Sequence, residues 1–285
     1  VTGFREPDLS TLRVVGKRLK AELADAVTEV TVNYATATLS ELTIVGADQR
    51  QRLLGSPLAQ TGTAIVFDGS RWEVGSVEMA MIGDQEVTAS FRARSPLGRT
   101  LRKTYRTSAE KQVSPSQWVS RAVKRAGGIP IVQATNKRGE ISQRGGDEAQ
   151  TVLDVIGDLG GEIDFEWVEA DGRFYFGSRH WAWKGGAATP TWPVTWKSNA
   201  RSDAYSMTWT DSDDDTEVRA TLDVELPHAA GLRIRPWHRL RVSNAGAASG
   251  TWLVNSIDIT YDKVSPVSIS ASVPKKPRPR KSSDS

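Results

Sequence analysis

Runs of β-branched and alternating residues at both ends of the chain, separated by two capped helical stretches, predict a mainly β protein carrying an α+β insert. Residues 27–34, with Val30, Val32 and Tyr34 on one face, show the alternation in the first part. Residues 250–261 show it in the last part. Between them Ser114-Pro115 followed by Gln117, and Asp147 followed by Gln150, have the spacing of helix N-terminal caps.

In chain order, residues 12–19 and 27–34 read as strands joined by a polar, Ala-rich link, and residues 36–45 form a further strand ending in Gly46-Ala47-Asp48. Residues 51–58 read as a short helix or turn, because Gly55 and Pro57 interrupt anything longer. Strands at 63–67, 71–81 and 86–94 follow, reversed by Asp68-Gly69 and Gly83-Asp84, and short strands at this spacing point to a barrel or sandwich. Residues 97–107 carry Arg99, Arg102, Lys103 and Arg106 on a helix or irregular link, and such a charge run reads first as a solvated face.

A helix then starts at Ser114. Its stripe is Trp118, Val119, Ala122, Val123 and Ala126, and Gly127-Gly128 ends it before a strand at 129–132. Residues 133–146 read as a polar, mobile linker. The second helix is expected to begin at Asp147, to present Ala149, Val152, Leu153, Ile156 and Leu159, and to stop at Gly160-Gly161. Ile163, Phe165 and Trp167 alternate with Asp164 and Glu166, Ala170-Asp171-Gly172 reverses the chain, and Phe174 and Phe176 alternate on the return. Strands at 204–210, 217–225, 233–242, 250–261 and 265–273 complete a second β region.

Composition narrows the functional classes. At 285 residues and 38% hydrophobic content the chain can bury real cores, and no run approaches the ~18 apolar residues of a membrane span. Residues 1–10 lack a signal-peptide pattern. The absence of cysteine excludes disulfides and thiolate metal sites. The net charge of +3 is misleading as a nucleic-acid signal, because the last twelve residues hold five basic side chains against Asp284, leaving −1 on the rest. Residues 274–285 therefore read as a disordered basic tail.

Several stretches resemble the phage tail hub family, also described as baseplate hub or minor tail proteins. Leu159-Gly160-Gly161-Glu162-Ile163, the Asp-Gly turn and Phe174-Tyr175-Phe176-Gly177 resemble that family's inserted domain. Ser40-Glu41-Leu42-Thr43 resembles a strand of its first barrel, and residues 251–259 with 265–272 and Pro274 resemble its closing hairpin. Residues 232–242 resemble its strand, Pro-led turn and strand, with the usual Pro-Gly-Asp replaced by Pro236-Trp237-His238.

The resemblance implies two tube-like β-barrel domains, 1–95 and 189–273, flanking a small α-β-α-β-β domain at 96–188. It also implies a structural virion protein without cofactors, a homotrimeric ring at the tail tip assembled in the host cytoplasm. Such a ring adapts a sixfold tube to a threefold tip. Its implied neighbours are the tail tube or distal tail protein above, a tip spike or fibre protein below, and the tape-measure protein and DNA in the lumen.

Other chemistry is weakly represented. His180, His228 and His238 lie in separate segments without the i, i+4 spacing of a helical zinc pair. Asp211, Asp213 and Asp215 have the rhythm of a calcium loop, but Thr216 and Leu222 occupy the positions of its glycine and glutamate. Glu162, Asp164 and Glu166 share one face of an extended strand, which a solvated surface explains without catalysis. The ten tryptophans are the unusual count. Trp181, Trp183, Trp192, Trp196 and Trp237 are expected at a subunit interface; the alternative is a sugar-stacking platform in a carbohydrate-binding module or tail-associated peptidoglycan hydrolase.

Overall fold

The computed structural model describes residues 7–48, 51–82, 86–103, 108–143, 149–197, 202–211, 218–262 and 264–274. The first β region holds β1 (Arg13–Val14), β2 (Lys17–Arg18), α1 (Ala21–Ala24), β3 (Val27–Ala35), β4 (Glu41–Ala47), β5 (Ala64–Phe67), β6 (Ser70–Ile82) and β7 (Glu86–Arg94). The insert holds α2 (Pro96–Leu101), β8 (Ser108–Val113), α3 (Pro115–Arg125), β9 (Ile129–Val132), β10 (Gly139–Gln143), α4 (Val152–Ile163), β11 (Glu166–Ala170), β12 (Arg173–Gly177) and α5 (Arg179–Trp183). The second β region holds β13 (Thr191–Thr195), β14 (Ser206–Asp211), β15 (Val218–Leu226), α6 (His228–Gly231), β16 (Arg239–Ser243), β17 (Gly250–Thr260) and β18 (Val267–Pro274).

The protein is mainly β, as its sequence patterns require. Among the described residues, thirteen strands from both β regions form one continuous sheet. β3 to β7 lie side by side as β5-β6-β7-β4-β3, and β14 to β18 lie as β16-β17-β18-β15-β14, so the second region repeats the strand order of the first. The repeat extends to irregularities. The β6–β7 register shifts between Val74 and Ser76, and the β17–β18 register shifts between Val254 and Ser256. β5 pairs with residues 70–73 of β6, as β16 pairs with residues 250–253 of β17. Trp72, Val74 and Ser76 thus occupy the places of Trp252, Val254 and Ser256, with both indoles buried.

The two regions join edge to edge. β17 pairs antiparallel with β3, Ser256 opposite Ala35 through Thr260 opposite Thr31. Alternate residues of β3, Val30, Val32 and Tyr34, face a core continuous with Leu222, Val254, Ile257 and Ile259 of the second region. The insert has its own core, in which Val119, Val123, Ile156, Phe174 and Phe176 pack together with Leu39, Leu97 and Leu101. At about 25 cal/mol per Å² of apolar surface, burial of this kind supplies the main stabilisation of both cores.

Local chemistry explains where the insert departs from expectation. α3 has the expected box: the Ser114 hydroxyl accepts from the Gln117 amide and the Gln117 side chain accepts from the Ser114 amide. α4 is capped instead by Thr151 and Asp154, later than the expected start at Asp147, which lies outside the described residues. It also continues through Gly160 and Gly161 to Ile163 and ends on Asp164 at φ 59°. A Cβ on Gly160 would stand 2.5 Å from the Phe165 carbonyl oxygen, so this glycine permits a close approach rather than ending the helix. Glu162 and Asp164 therefore belong to a helix and its cap, and do not share a strand face with Glu166.

Part of the expected mobile linker is β10, paired with β8. Residues 179–183 are helical, capped by the Ser178 hydroxyl, so Trp181 and Trp183 do not share the face that an extended chain would give them. Of the expected 233–242 strand only residues 239–242 are extended, as part of β16, because the Pro236-Trp237-His238 turn precedes them and Trp237 adopts φ 66°. The Gly83-Asp84 turn, Asp213, Asp215 and residues 275–285 lie outside the described residues.

Candidate assembly surfaces and the junction between units

The β11–β12 hairpin brings the insert onto the sheet. Asp171 and Gly172, at φ 51° and 74°, make the tight reversal that an Asp-Gly pair favours. The Asp171 carboxylate accepts from Arg235 Nε at 2.8 Å and from the Ser70 hydroxyl at 3.0 Å. Arg235 stacks 4.4 Å from the Tyr34 ring centroid and donates through Nη1 to the carbonyls of Leu232 and Ile234 at 2.6 and 2.7 Å. One guanidinium therefore ties the first β region, the insert and the second β region together. On the other side of the hairpin, Arg179 pairs with Glu166 at 3.5 Å and donates to Asn255 and Ser272.

Burial controls the titration of this junction. His238 accepts at Nδ1 from Trp192 Nε1 at 3.0 Å and from the Arg235 amide at 3.1 Å. Burial, reinforced by the Arg235 charge, pushes its pKa down to about 4, so the ring stays neutral and accepting. Glu169 is 1% exposed and lines a cavity of about 530 Å³ with Tyr34, Trp72, Ser95 and Asp171. Burial pushes its carboxyl up to about 7 against the opposing influence of the Ser95 and Ser40 hydroxyls. Among the described residues neither carboxyl oxygen has a hydrogen-bond partner at bonding distance, so the two hydroxyls act on it only from nearby: Ser40 donates to the Glu169 backbone carbonyl at 2.6 Å, and the Ser95 oxygen accepts from the Gly98 amide.

An acid whose folded pKa lies above its unfolded value carries no penalty below the unfolded pKa; the penalty grows as pH rises from the unfolded value to the folded one and is constant above it. For Glu169 the window runs from 4.5 to about 7. Glu169→Gln is therefore expected to leave stability at pH 4.5 unchanged and to raise it by about 3 kcal/mol above pH 8. Urea titrations at both values check this; an equal effect at the two pH values contradicts it.

Among the described residues several strand edges are open, those of β2, β13, β14 and the far half of β6 among them, and two carry exposed apolar side chains. Among the described residues β14 pairs only with β15 and ends the sheet, and β6 pairs with β5 only over residues 70–73, with Val74 adding backbone bonds to Gly62 and Thr63. Large apolar side chains stand exposed on both: Met79 (50%) and Met81 (64%) on β6, Trp209 (38%) on β14. Open edges carrying apolar side chains recruit further strands.

No family model and no curated protein matches the chain. Solved structures do. The 43 kDa tail protein of prophage MuSo2 from Shewanella oneidensis superposes with a TM-score of 0.64 at 10% identity, covering 93% of this chain and 97% of that one. The tail protein from Neisseria meningitidis MC58 gives 0.62 at 11%, covering 92% and 95%. The chain has the fold of phage tail proteins. A third neighbour with this tail-protein fold is the E. coli c3393 protein, with a TM-score of 0.63 at 11% identity and coverage of 93% and 77%. It is a component of the type VI secretion system with structural similarity to the T4 tail proteins gp27 and gp5.

In this tail-protein fold the expected interface tryptophans serve several ends. Trp237 is fully enclosed and is not a surface residue: it packs against Tyr175 and Trp181 at centroid separations of 6.0 and 6.2 Å. Trp183 donates to the Thr251 carbonyl at 2.8 Å, and Trp192 is held by His238. Trp181, Trp183, Trp192 and Trp196 are half-buried against the shared core. Met79, Met81 and Trp209 are not among the residues the sequence points to; the recurrence of Trp-x-Val-x-Ser at 72–76 and 252–256 marks β6, the strand of the two methionines, as the repeat of β17, and nothing local marks Trp209 on β14.

Each histidine packs on a different aromatic ring, His180 on Trp183, His228 on Tyr261 and His238 on Trp192. Among the described residues no group of three or more metal-ligating side chains converges. No helix among them is long and apolar enough to cross a membrane.

Proposed function

We propose that this chain is a structural tail protein that forms a homotrimeric hub ring at the distal end of a phage tail tube. The carrying observation is the repeated strand order within one chain. Two like units per chain give three chains six like positions around an axis, while each complete chain still repeats only threefold. A ring built this way presents six similar surfaces to a tube above and three identical ones to a tip spike or fibre protein below. Its lumen surrounds the path of DNA and the end of the tape-measure protein, and it is assembled in the host cytoplasm.

The junction chemistry favours this structural role over hydrolysis. Glu169 is the carboxyl with the raised pKa that a general acid needs, yet both of its oxygens are buried away from solvent, which does not favour contact with a glycan. Light scattering on the purified chain, with electron microscopy of particles that carry it, tests the proposal. Three copies at the tail tip are expected. A chain that stays monomeric, binds glycan and is missing from particles overturns it.

A further inference from the structure

The joint inside the chain has an unfilled counterpart on its outside. Within one chain β3 of the first repeat pairs with β17 of the second, Val32 opposite Ile259 and Asn33 opposite Asp258. The strand equivalent to β3 is β14, and the strand equivalent to β17 is β6. Trp209 stands where Val32 stands: Val32 lies opposite Leu42 and, across β4, Ala93, while Trp209 lies opposite Leu222 and, across β15, Ala271. Met79 stands where Ile259 stands, each five residues beyond the valine at which its strand bulges.

The exposures fit a joint that one copy cannot close. Val32 and Ile259 are each 1% exposed, whereas Trp209 and Met79 are 38% and 50% exposed. We infer that β14 of one copy adds antiparallel to residues 77–81 of β6 in the next copy, with Trp209 opposite Met79 and Met207 opposite Met81. The polar pair is also reproduced: Asn33 donates to Asp258 across the internal joint, and in the same register Thr210 falls opposite Glu78 as a donor to its carboxylate. The contact joins unlike edges, so copies add head to tail. This register rests on the ring proposed above, and a strand from a different protein is the rival occupant of either edge.

The chain has no cysteine, which makes the pairing directly testable. Opposed residues of an antiparallel pair stand ~4.5–5.5 Å apart between Cα atoms, within the range of ~4.4–6.8 Å that a disulfide spans. Full-length Met79→Cys and Trp209→Cys chains are co-expressed, oxidised, and run on a non-reducing gel. The mixture is expected to give a covalent dimer of doubled mass, and each variant alone only monomer bands. Glu78→Cys with Thr210→Cys repeats the test one residue along, at positions equally outside the core. An assembled ring with no dimer from either pair overturns the register and leaves the ring standing. A Met79→Cys chain that links to itself also overturns it, since like edges would then meet. Chains that never associate overturn both readings.

Discussion

Arg235→Ala is expected to destabilise the protein by about 3–5 kcal/mol, the range for removing one partner of a buried, multiply bonded charge. The guanidinium side chain is 12% exposed and makes four contacts that no neighbour can replace: Asp171, the Leu232 and Ile234 carbonyls, and the face of Tyr34. Without it, the two carbonyls lose a charged donor each, and a gap opens between the hairpin tip and β3. Asp171→Asn is expected to cost only about 1 kcal/mol, because that carboxylate is 41% exposed and water replaces much of its pairing. Arg235→Lys keeps the charge without the planar fork, and should fall between the two. Urea unfolding of the three variants at one pH and salt gives the comparison. Equal losses from Arg235→Ala and Asp171→Asn would show that the ion pair alone matters and that the carbonyl and ring contacts are idle.

The sequence made the local devices readable and hid the non-local ones. Ser114, Pro115 and Gln117 specify a helix start by hydrogen bonds within four residues, and Asp171-Gly172 specifies a reversal by its backbone preference, so both appear where the residues place them. The box that caps α4 is Thr151 with Asp154, four residues beyond the expected Asp147 and Gln150, because spacing alone does not choose between overlapping caps. An extended chain would put Trp181 and Trp183 on one face, yet the Ser178 hydroxyl starts a helix under them. β8 and β10 are short strands in a small separate sheet, and carry no long alternation to read. Arg235 was read only as part of a basic strand, since its partners Asp171 and Tyr34 lie 64 and 201 positions away. The β3–β17 joint is likewise invisible to periodicity, which reports which face is dry and never which strand lies alongside.

Trp237→Ala is the companion test, because this residue stands at the same crossroads through packing rather than charge. Its indole is fully enclosed, with Tyr175 of the insert and Trp181 of α5 against it, and its backbone amide donates to Val254 at 2.8 Å while its carbonyl accepts from the Thr189 hydroxyl at 2.6 Å. Truncation empties a site bounded by two units, and aromatic-to-alanine changes in cores cost about 3–5 kcal/mol. The backbone adds a refinement. Trp237 holds φ 66° where the resembling family places glycine, a conformation that costs a side chain about 1 kcal/mol or more. Trp237→Gly therefore removes the same indole while relieving that strain, and is expected to be no worse than alanine despite its greater freedom when unfolded. Trp237→Phe should be mild, since the indole N–H has no acceptor among the described residues and phenylalanine removes that unpaired donor along with some contact area. Denaturant midpoints for the three variants, with limited proteolysis around residues 184–190, report whether the insert loosens from the sheet. Should Trp237→Ala cost no more than Trp237→Phe, the site collapses around the loss and the crossroads is held by Arg235 alone.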